Sequence, residues 1–440
     1  MHLKTFKGGI HPPANKLTAQ MPLVTLPAPK RVVIALQQHI GAPCQPLVKV
    51  GDLVVMGQKI GEHPAAISAP VHSSVSGKVV AIGPVNFSNG KTVNAITIEN
   101  DFLDTKTEPI GFGKALADLT DLEIRSMIRE AGIVGMGGAG FPTAAKLVVP
   151  AGKKIDMLVI NGVECEPYLT CDHRVILEQP AVILKGIKAL MKATGAGHAY
   201  IGVKITMEGA IETLHEVVKM EKGIDVVPLA SKYPQGEERQ LIYAITGREV
   251  PSGGLPLDVG IVVCNIGTSW AVGRLMETGM PLIERSVTVT GAVKTPSNFI
   301  ARVGTMVSDL IDAAGGYSEE PGSVIMGGPM TGLPQFTTEI PFTKQNTGIL
   351  VLTKNEVQPA PMTDCIHCGS CIEACSYRLM PLYLAKYAQA GNTAGLEKYN
   401  ILDCRECGSC AYVCPAKLPL MHYMRVGKGY ITAKRAAAKK

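Results

Sequence analysis

The 440 residues exceed what one hydrophobic core organises, which predicts roughly two to four domains. Apolar residues at 46% and charged residues at 18% exclude a disordered chain, and 47 Gly and 30 Pro beside 5% aromatics predict many turns and few stacking platforms. A balance of 43 basic against 37 acidic residues, or +6, is too mild for a nucleic-acid binder, so no nucleic-acid partner is expected.

The opening MHLKTFKGGIHPPANKL has no apolar h-region, so the chain is expected on the cytosolic side with its thiols reduced. Residues 1–112 read as a β unit: RVVIAL (31–36), LVKVGDLV (47–54) and GKVVAIG (77–83) are apolar runs between Gly and Pro turns. The stretches 48–62 and 69–83 resemble each other loosely, and the pairing resembles the flattened barrel of lipoyl and biotinyl carrier domains. A carrier needs a lysine at its hairpin tip. The tip here, HPAAISAP, has none, which favours a structural or docking barrel over a swinging arm.

Residues 113–280 change period. LEIRSMIREAG (122–132) predicts a helix, followed by a Gly-rich loop and a helix from Pro142. Strand patterns at 154–161, 198–205, 224–229 and 258–265 then alternate with helix patterns near 179–193, 207–222 and 237–246. That alternation predicts a largely parallel sheet with right-handed crossovers. Residues 281–355 read as a small α+β unit, with strands at 286–293, 323–328 and 348–353 and a helix at 306–315. The longest uncharged stretch, 321–338, carries Gly and Pro residues and cannot be a membrane span, so membrane association would run through a partner. Residues 356–425 hold the cysteine motifs, joined by a helical insert, RLMPLYLAKYAQAG. Residues 426–440 read as a basic tail that meets acidic partners or anionic lipid, or frays in solvent.

Eight of the 12 cysteines lie between Cys365 and Cys414. CIHCGSCIEAC (365–375) and CRECGSCAYVCP (404–415) are each C-x2-C-x2-C-x3-C, the spacing of two-cluster ferredoxins. Three close thiolates wrap one corner of a cubane while the fourth completes the other cluster. One [4Fe-4S] cluster is thus expected on Cys365, Cys368, Cys371 and Cys414, and the second on Cys404, Cys407, Cys410 and Cys375. Gly369 and Gly408 allow close backbone approach. Ser376 stands where the second motif has Pro415. Zinc ribbons show two-cysteine knuckles instead, and the scattered Cys44, Cys165, Cys171 and Cys264 read as buried small thiols. His173 reads as a structural hydrogen bond or a proton relay, and Trp270 as core.

VGMGGAGFPTAAK (134–146) offers four glycines and the positive end of the helix expected from Pro142, a cradle for a phosphate or a flat ring. It is neither a dinucleotide fingerprint nor a Walker A loop. The three acids of NGVECEPYLTCDHR (161–174) ask for hydrogen-bond or charge partners if they are buried.

GxGGAGFPTxxK resembles the flavin- and nicotinamide-binding loop of the NADH-oxidising flavoprotein subunit of respiratory complex I. NGVECEPYLTCDHR, YPQGEERQLIYAITGR (233–248) and CNIGT (264–268) resemble that group's later segments in the same order. The resemblance implies FMN beside Gly135, Gly137, Gly138, Asn161, Glu164, Gly236, Glu237, Asn265 and Thr268. It places Phe141, Lys146, Glu166 and Glu238 on the nucleotide side, with Glu166 at the hydride step. Met136 stands where the family has arginine, and Val163 where it has an acid.

A barrel before the flavin unit and a two-cluster segment after it resemble the C subunit of the Rnf electron-transport complex over nearly the whole chain. FKGGIHPPANK looks like the same family, and 281–355 resembles its ubiquitin-like SLBB unit. The fold implied is multidomain α/β: barrel-sandwich, α/β flavin domain, SLBB-like unit and two-cluster ferredoxin-like domain. The function implied is hydride transfer between NADH and FMN, with single electrons passing through two clusters to other subunits, including a ferredoxin-like iron–sulfur subunit. The place implied is the cytoplasmic face of the inner membrane. A cobalamin reductase with a similar flavin and cluster layout, or a non-catalytic redox docking scaffold, are the alternatives.

Overall fold

The computed structural model describes residues 3–88, 90–111, 114–358 and 361–438. The expected boundary between 112 and 113, and Lys439 and Lys440 of the expected tail, lie outside them. Among the described residues no helix is long and apolar enough to cross a membrane.

The β unit is two small antiparallel sheets. One has the order Arg31–Ala35, Thr92–Asn100, Gly77–Asn86, Leu53–Val54, and the other Gln45–Pro46, Lys59–Glu62, Val71–His72. Their facing apolar residues, among them Ile34, Ile60, Val79, Ile96 and Ile98, are fully buried. The run 47–54 is not one strand. Asp52 accepts the Lys49 N–H at 3.0 Å and Gly51 takes φ +98°, so a turn interrupts it and only Leu53–Val54 pairs.

The second unit carries a four-stranded, wholly parallel sheet in the order Ile224–Leu229, His198–Lys204, Met157–Asn161, Ile261–Asn265. The chain moves outward in one direction from Met157–Asn161 and then returns to its other side. The sheet's topological switch point therefore lies between Met157–Asn161 and Ile261–Asn265. Helices Asp121–Glu130, Pro180–Thr194, Ala210–Val218, Glu238–Thr246 and Ile266–Thr278 cover its faces. The helix expected from Pro142 is one turn, Thr143–Lys146, too short for a helix dipole of any reach.

The third unit is a mixed six-stranded sheet packed on helix Val307–Ala313. Its edge strand, Leu23–Thr25, comes from the chain's beginning and pairs in parallel with Ser297–Arg302. Residues 4–30 thus leave the barrel. Lys4 bridges Leu229, Ile10 bridges Tyr233, and the segment straps three units together.

The cysteine segment packs helices Pro381–Gln389, Thr393–Lys398 and Leu420–Ala437 around Leu384, Leu396, Ile401, Leu420, Met424 and Ile431. The stretch expected as a basic tail continues this last helix to Ala437. Ile431 is fully buried on it, and Lys434 pairs with Glu397 at 2.7 Å.

Candidate functional site

Asn161 and Asn265 end adjacent parallel strands in register, at the carboxyl edge of the switch point, where open α/β sheets bind ligands. Asn161 Nδ2 donates to Gly236 O at 2.7 Å, drawing in the segment that precedes helix Glu238–Thr246. Asn265 caps helix Ile266–Thr278 by accepting the Gly267 N–H at 2.7 Å and donates through Nδ2 to Asp172 Oδ2 at 2.8 Å. The Gly-rich loop closes on itself through Gly135 N–H to Phe141 O (2.8 Å) and leans on this edge through Met136 N–H to Thr268 Oγ1 (3.0 Å). Gly137 has φ +70°, and a Cβ there would lie 3.1 Å from Asn265 Nδ2; a Cβ on Gly138 would meet nothing within 4 Å. The loop is thus anchored on one side and open on the other, the shape a ring or phosphate resting on backbone requires.

The acidic loop is spent differently from side chain to side chain. Glu164 accepts the Asp172 and His173 N–H groups at 2.8 and 3.2 Å, capping a helix, Cys171–Glu178, that the sequence pattern does not signal. Glu166 accepts the Met330 and Thr331 N–H groups at 3.0 and 2.9 Å and the Thr331 hydroxyl, and burial raises its pKa. Glu237 caps helix Glu238–Thr246 and accepts the Tyr377 hydroxyl, while Glu238 pairs with Lys146 at 2.7 Å. Phe141 is half-buried beside the loop. Asp172 is buried, and burial with Glu164 alongside pushes its carboxyl up to about 6; its Oδ1 has no partner. Glu164, Cys171 and Asp172 do bring ligand atoms within 4.8 Å of one another, although Cys171 reads as isolated in sequence. Cys171 is buried with its thiol on Thr347 O, Trp270 is core, and His173 bonds Glu208 O at 2.9 Å.

The cysteines gather as two quartets. Cys365, Cys368, Cys371 and Cys414 line one cavity of about 210 Å³, and Cys375, Cys404, Cys407 and Cys410 line another of about 30 Å³. Tetrahedral zinc would bring sulfurs to about 3.8 Å of each other. Among the described residues no three of these cysteines bring their sulfurs within 4.8 Å of one another, wider than one tetrahedral zinc ion takes.

The second quartet abuts the flavin-loop unit. Tyr233 donates its hydroxyl to Cys407 O at 2.7 Å, and Ile10, Cys165, Tyr233, Met330 and Cys407 share one apolar cluster. Gly9 N–H donates to Ala374 O at 2.9 Å, and Lys16 Nζ donates to the carbonyls of Glu164, Glu166 and Leu169. The first quartet lies outward, with Cys368 exposed. Sequence reasoning missed Lys16, Asp172, Tyr233 and Tyr377 as site residues. Lys16, Asp172 and Tyr233 stand in the segments FKGGIHPPANK, NGVECEPYLTCDHR and YPQGEERQ that carry the family resemblance, and that is the signal that could have flagged them.

Four family descriptions match in chain order: RnfC barrel sandwich hybrid domain (4–103), Nuo51 FMN-binding domain (128–274), SLBB domain (286–334) and 4Fe-4S dicluster domain (364–418). The chain is 48% identical over 98% of its length to the C subunit of the Na(+)-translocating ferredoxin:NAD(+) oxidoreductase complex of Acetobacterium woodii, and covers 98% of that protein. It is 46% identical over 96% to the proton-translocating counterpart of Clostridium ljungdahlii, covering 93% of it. With the C subunit of the ion-translocating oxidoreductase complex of Rhodobacter capsulatus the figures are 40%, 98% and 84%. An NAD+-reducing [NiFe]-hydrogenase in the H2-reduced state shares the fold alone, with TM-score 0.50 and 20% identity over 71% of this chain and 61% of that one. The chain belongs to the RnfC family, the C subunits of ion-translocating ferredoxin:NAD(+) oxidoreductase complexes.

Proposed function

We propose that this subunit exchanges electrons between NAD(H) and the other subunits of a membrane-associated ion-translocating complex, from its cytoplasmic face. FMN, when bound, supplies the exchange between paired and single electrons, and the two [4Fe-4S] clusters supply single-electron carriage. Asn161, Asn265, Gly236 and the open side of the Gly135–Gly138 loop would hold the flavin. Lys146, Glu238 and Phe141 would hold the nucleotide, and Glu166 would position the nicotinamide from a carboxylate fixed by three donors. Glu164 and Glu237 would act on the flavin by fixing helix starts, since their carboxylates are engaged there.

The observation that carries the reading is the Tyr233 hydroxyl on Cys407 O, which seats the second quartet against the flavin-loop unit. That makes Cys375, Cys404, Cys407 and Cys410 the inner set. Cys365, Cys368, Cys371 and Cys414 form the outer set, whose rim exposes Ile366 and Met362 (68% and 62%) to the next subunit.

Electron-paramagnetic spectra after anaerobic NADH addition test this order. Cys368→Ala leaves the inner cluster reducible by NADH, whereas Cys375→Ala leaves the outer one reducible by dithionite but not by NADH. The reverse pattern overturns the order, and an FMN-free, iron-free wild type overturns the function.

A further inference from the structure

A cavity of about 340 Å³ separates helix Glu238–Thr246 from the turn that follows Cys375, and Tyr377, whose hydroxyl donates to Glu237, stands in its wall. Its charged lining is Lys7, Arg239 and Arg378 against the single carboxylate of Glu249, an excess of two positive charges. Opposite charges near a protein surface normally find each other. Among the described residues, however, neither Lys7 nor Arg378 has a carboxylate within ion-pair distance, and Glu249 pairs with no cation.

The two unpaired cations are delivered by rigid backbone. Lys7 precedes Gly8, packed on Cys375 O, and Gly9, whose N–H donates to Ala374 O at 2.9 Å. Arg378 closes the turn through its own N–H to Cys375 O at 3.1 Å, at φ +52°. Arg239 is held at the back by Pro251 O and Gly254 O, at 3.2 and 2.8 Å, with Asp403 3.9 Å away. Tyr243, one helical turn beyond Arg239, gives the wall an aromatic face.

Cations on three separate segments, two of them unneutralised, converge on a space of small-molecule size. We infer that this cavity is a binding site for a small phosphate-bearing anion, with Lys7 and Arg378 as its clamps and Arg239 as its floor. The inference does not rest on the proposed electron path, and competition by NADH tests whether the two sites are distinct.

Isothermal titration of the cofactor-loaded full chain with inorganic pyrophosphate tests the inference, with and without saturating NADH. Two charge-assisted contacts predict that Lys7→Gln/Arg378→Gln weakens binding by about tenfold or more. Both residues are exposed, so the double variant keeps its flavin and iron content. Lys78→Gln, an exposed lysine on the barrel, leaves affinity unchanged, and NADH does not compete. No heat at millimolar pyrophosphate, equal affinity in the double variant, or displacement by NADH overturns the site.

Discussion

Replacing Gly8 by alanine tests the strap. Gly8 sits at φ +74°, and a Cβ would lie 2.7 Å from Cys375 O, 3.0 Å from Cys375 C and 3.2 Å from Glu373 O. Left-handed backbone costs a residue with a Cβ about 1–2 kcal/mol. The obstructing atoms are main chain and cannot swing aside, so overpacking adds about 1–3 kcal/mol. The strap is held locally by Gly9 N–H to Ala374 O and by the reciprocal Ile10–Tyr233 pair at 2.8 and 2.9 Å. At about 0.5–1.5 kcal/mol per bond, those contacts are of the same size as the insult, so Gly8→Ala detaches the strap without unfolding the protein. Detachment at Gly8 uncovers the backbone of Cys375, while Lys16 stays held by its three carbonyls and Ala14 O by the Tyr168 N–H. The expected result is faster hydrogen exchange at residues 6–10 and faster bleaching of the inner cluster in air. Gly83→Ala, where a Cβ meets nothing within 4 Å, serves as control and changes neither. Unchanged exchange and cluster lifetime in Gly8→Ala would refute the strap's role.

Three further substitutions probe the packing and the site. Lys344 is fully buried, donates to Pro70 O and Gly132 O at 2.7 Å each, and is brought down to about 7 by burial. Because its folded pKa lies below the unfolded value, thermal stability rises with pH from about 7 toward 10, and Lys344→Met flattens that slope; an unaltered slope refutes the assignment. The raised Asp172 carboxyl works the other way: its contribution is present at acid pH and is lost as pH climbs through about 6. Asp172→Asn therefore raises the melting temperature more at pH 8 than at pH 5, and equal gains at both would be contrary. Glu166→Gln keeps one acceptor for three donors, so stopped-flow flavin reduction by NADH slows about tenfold or more while FMN content holds. Loss of FMN at an unchanged rate would make Glu166 structural.

Much of this was legible because it is local. The C-x2-C-x2-C-x3-C spacing brings each three sulfurs together within a few residues of chain, and the exchange of the fourth cysteine follows from repeating the motif. The parallel strands announced themselves as apolar runs spaced by helices. What stayed hidden depends on distant partners. Helix Cys171–Glu178 takes its cap from Glu164, eight residues before Asp172, where a capping box reaches only three. Leu23–Thr25 is short, and its partner strand lies more than 270 residues away. The last helix has a weak apolar stripe and many cations, so it reads as tail until Ile431 is seen packed on the cluster core.

Apart from Asp172 and the Lys146–Glu238 pair, the buried charges named here bond mainly to main chain, which explains why the site can be rigid without large ion-pair networks. Cations bond to carbonyls: Lys16 to three, Lys344 to two, and Arg285 to Ser286 O and Lys344 O, with its Nη2 left without a partner. Carboxylates are satisfied mainly by N–H groups: Glu164 by two, Glu166 by two and a hydroxyl, Glu237 by two and a hydroxyl. A charge paired with another charge fixes two flexible side chains, whereas a charge bonded to main chain fixes loop backbone. Here the fixed backbone is that of the acidic loop, the Met330–Thr331 loop and the start of helix Glu238–Thr246, which together wall the switch-point crevice. Removing one such side chain leaves buried carbonyl or N–H groups without partners, a penalty of about 1–3 kcal/mol each. The damage therefore falls on the shape of the crevice before it falls on the fold.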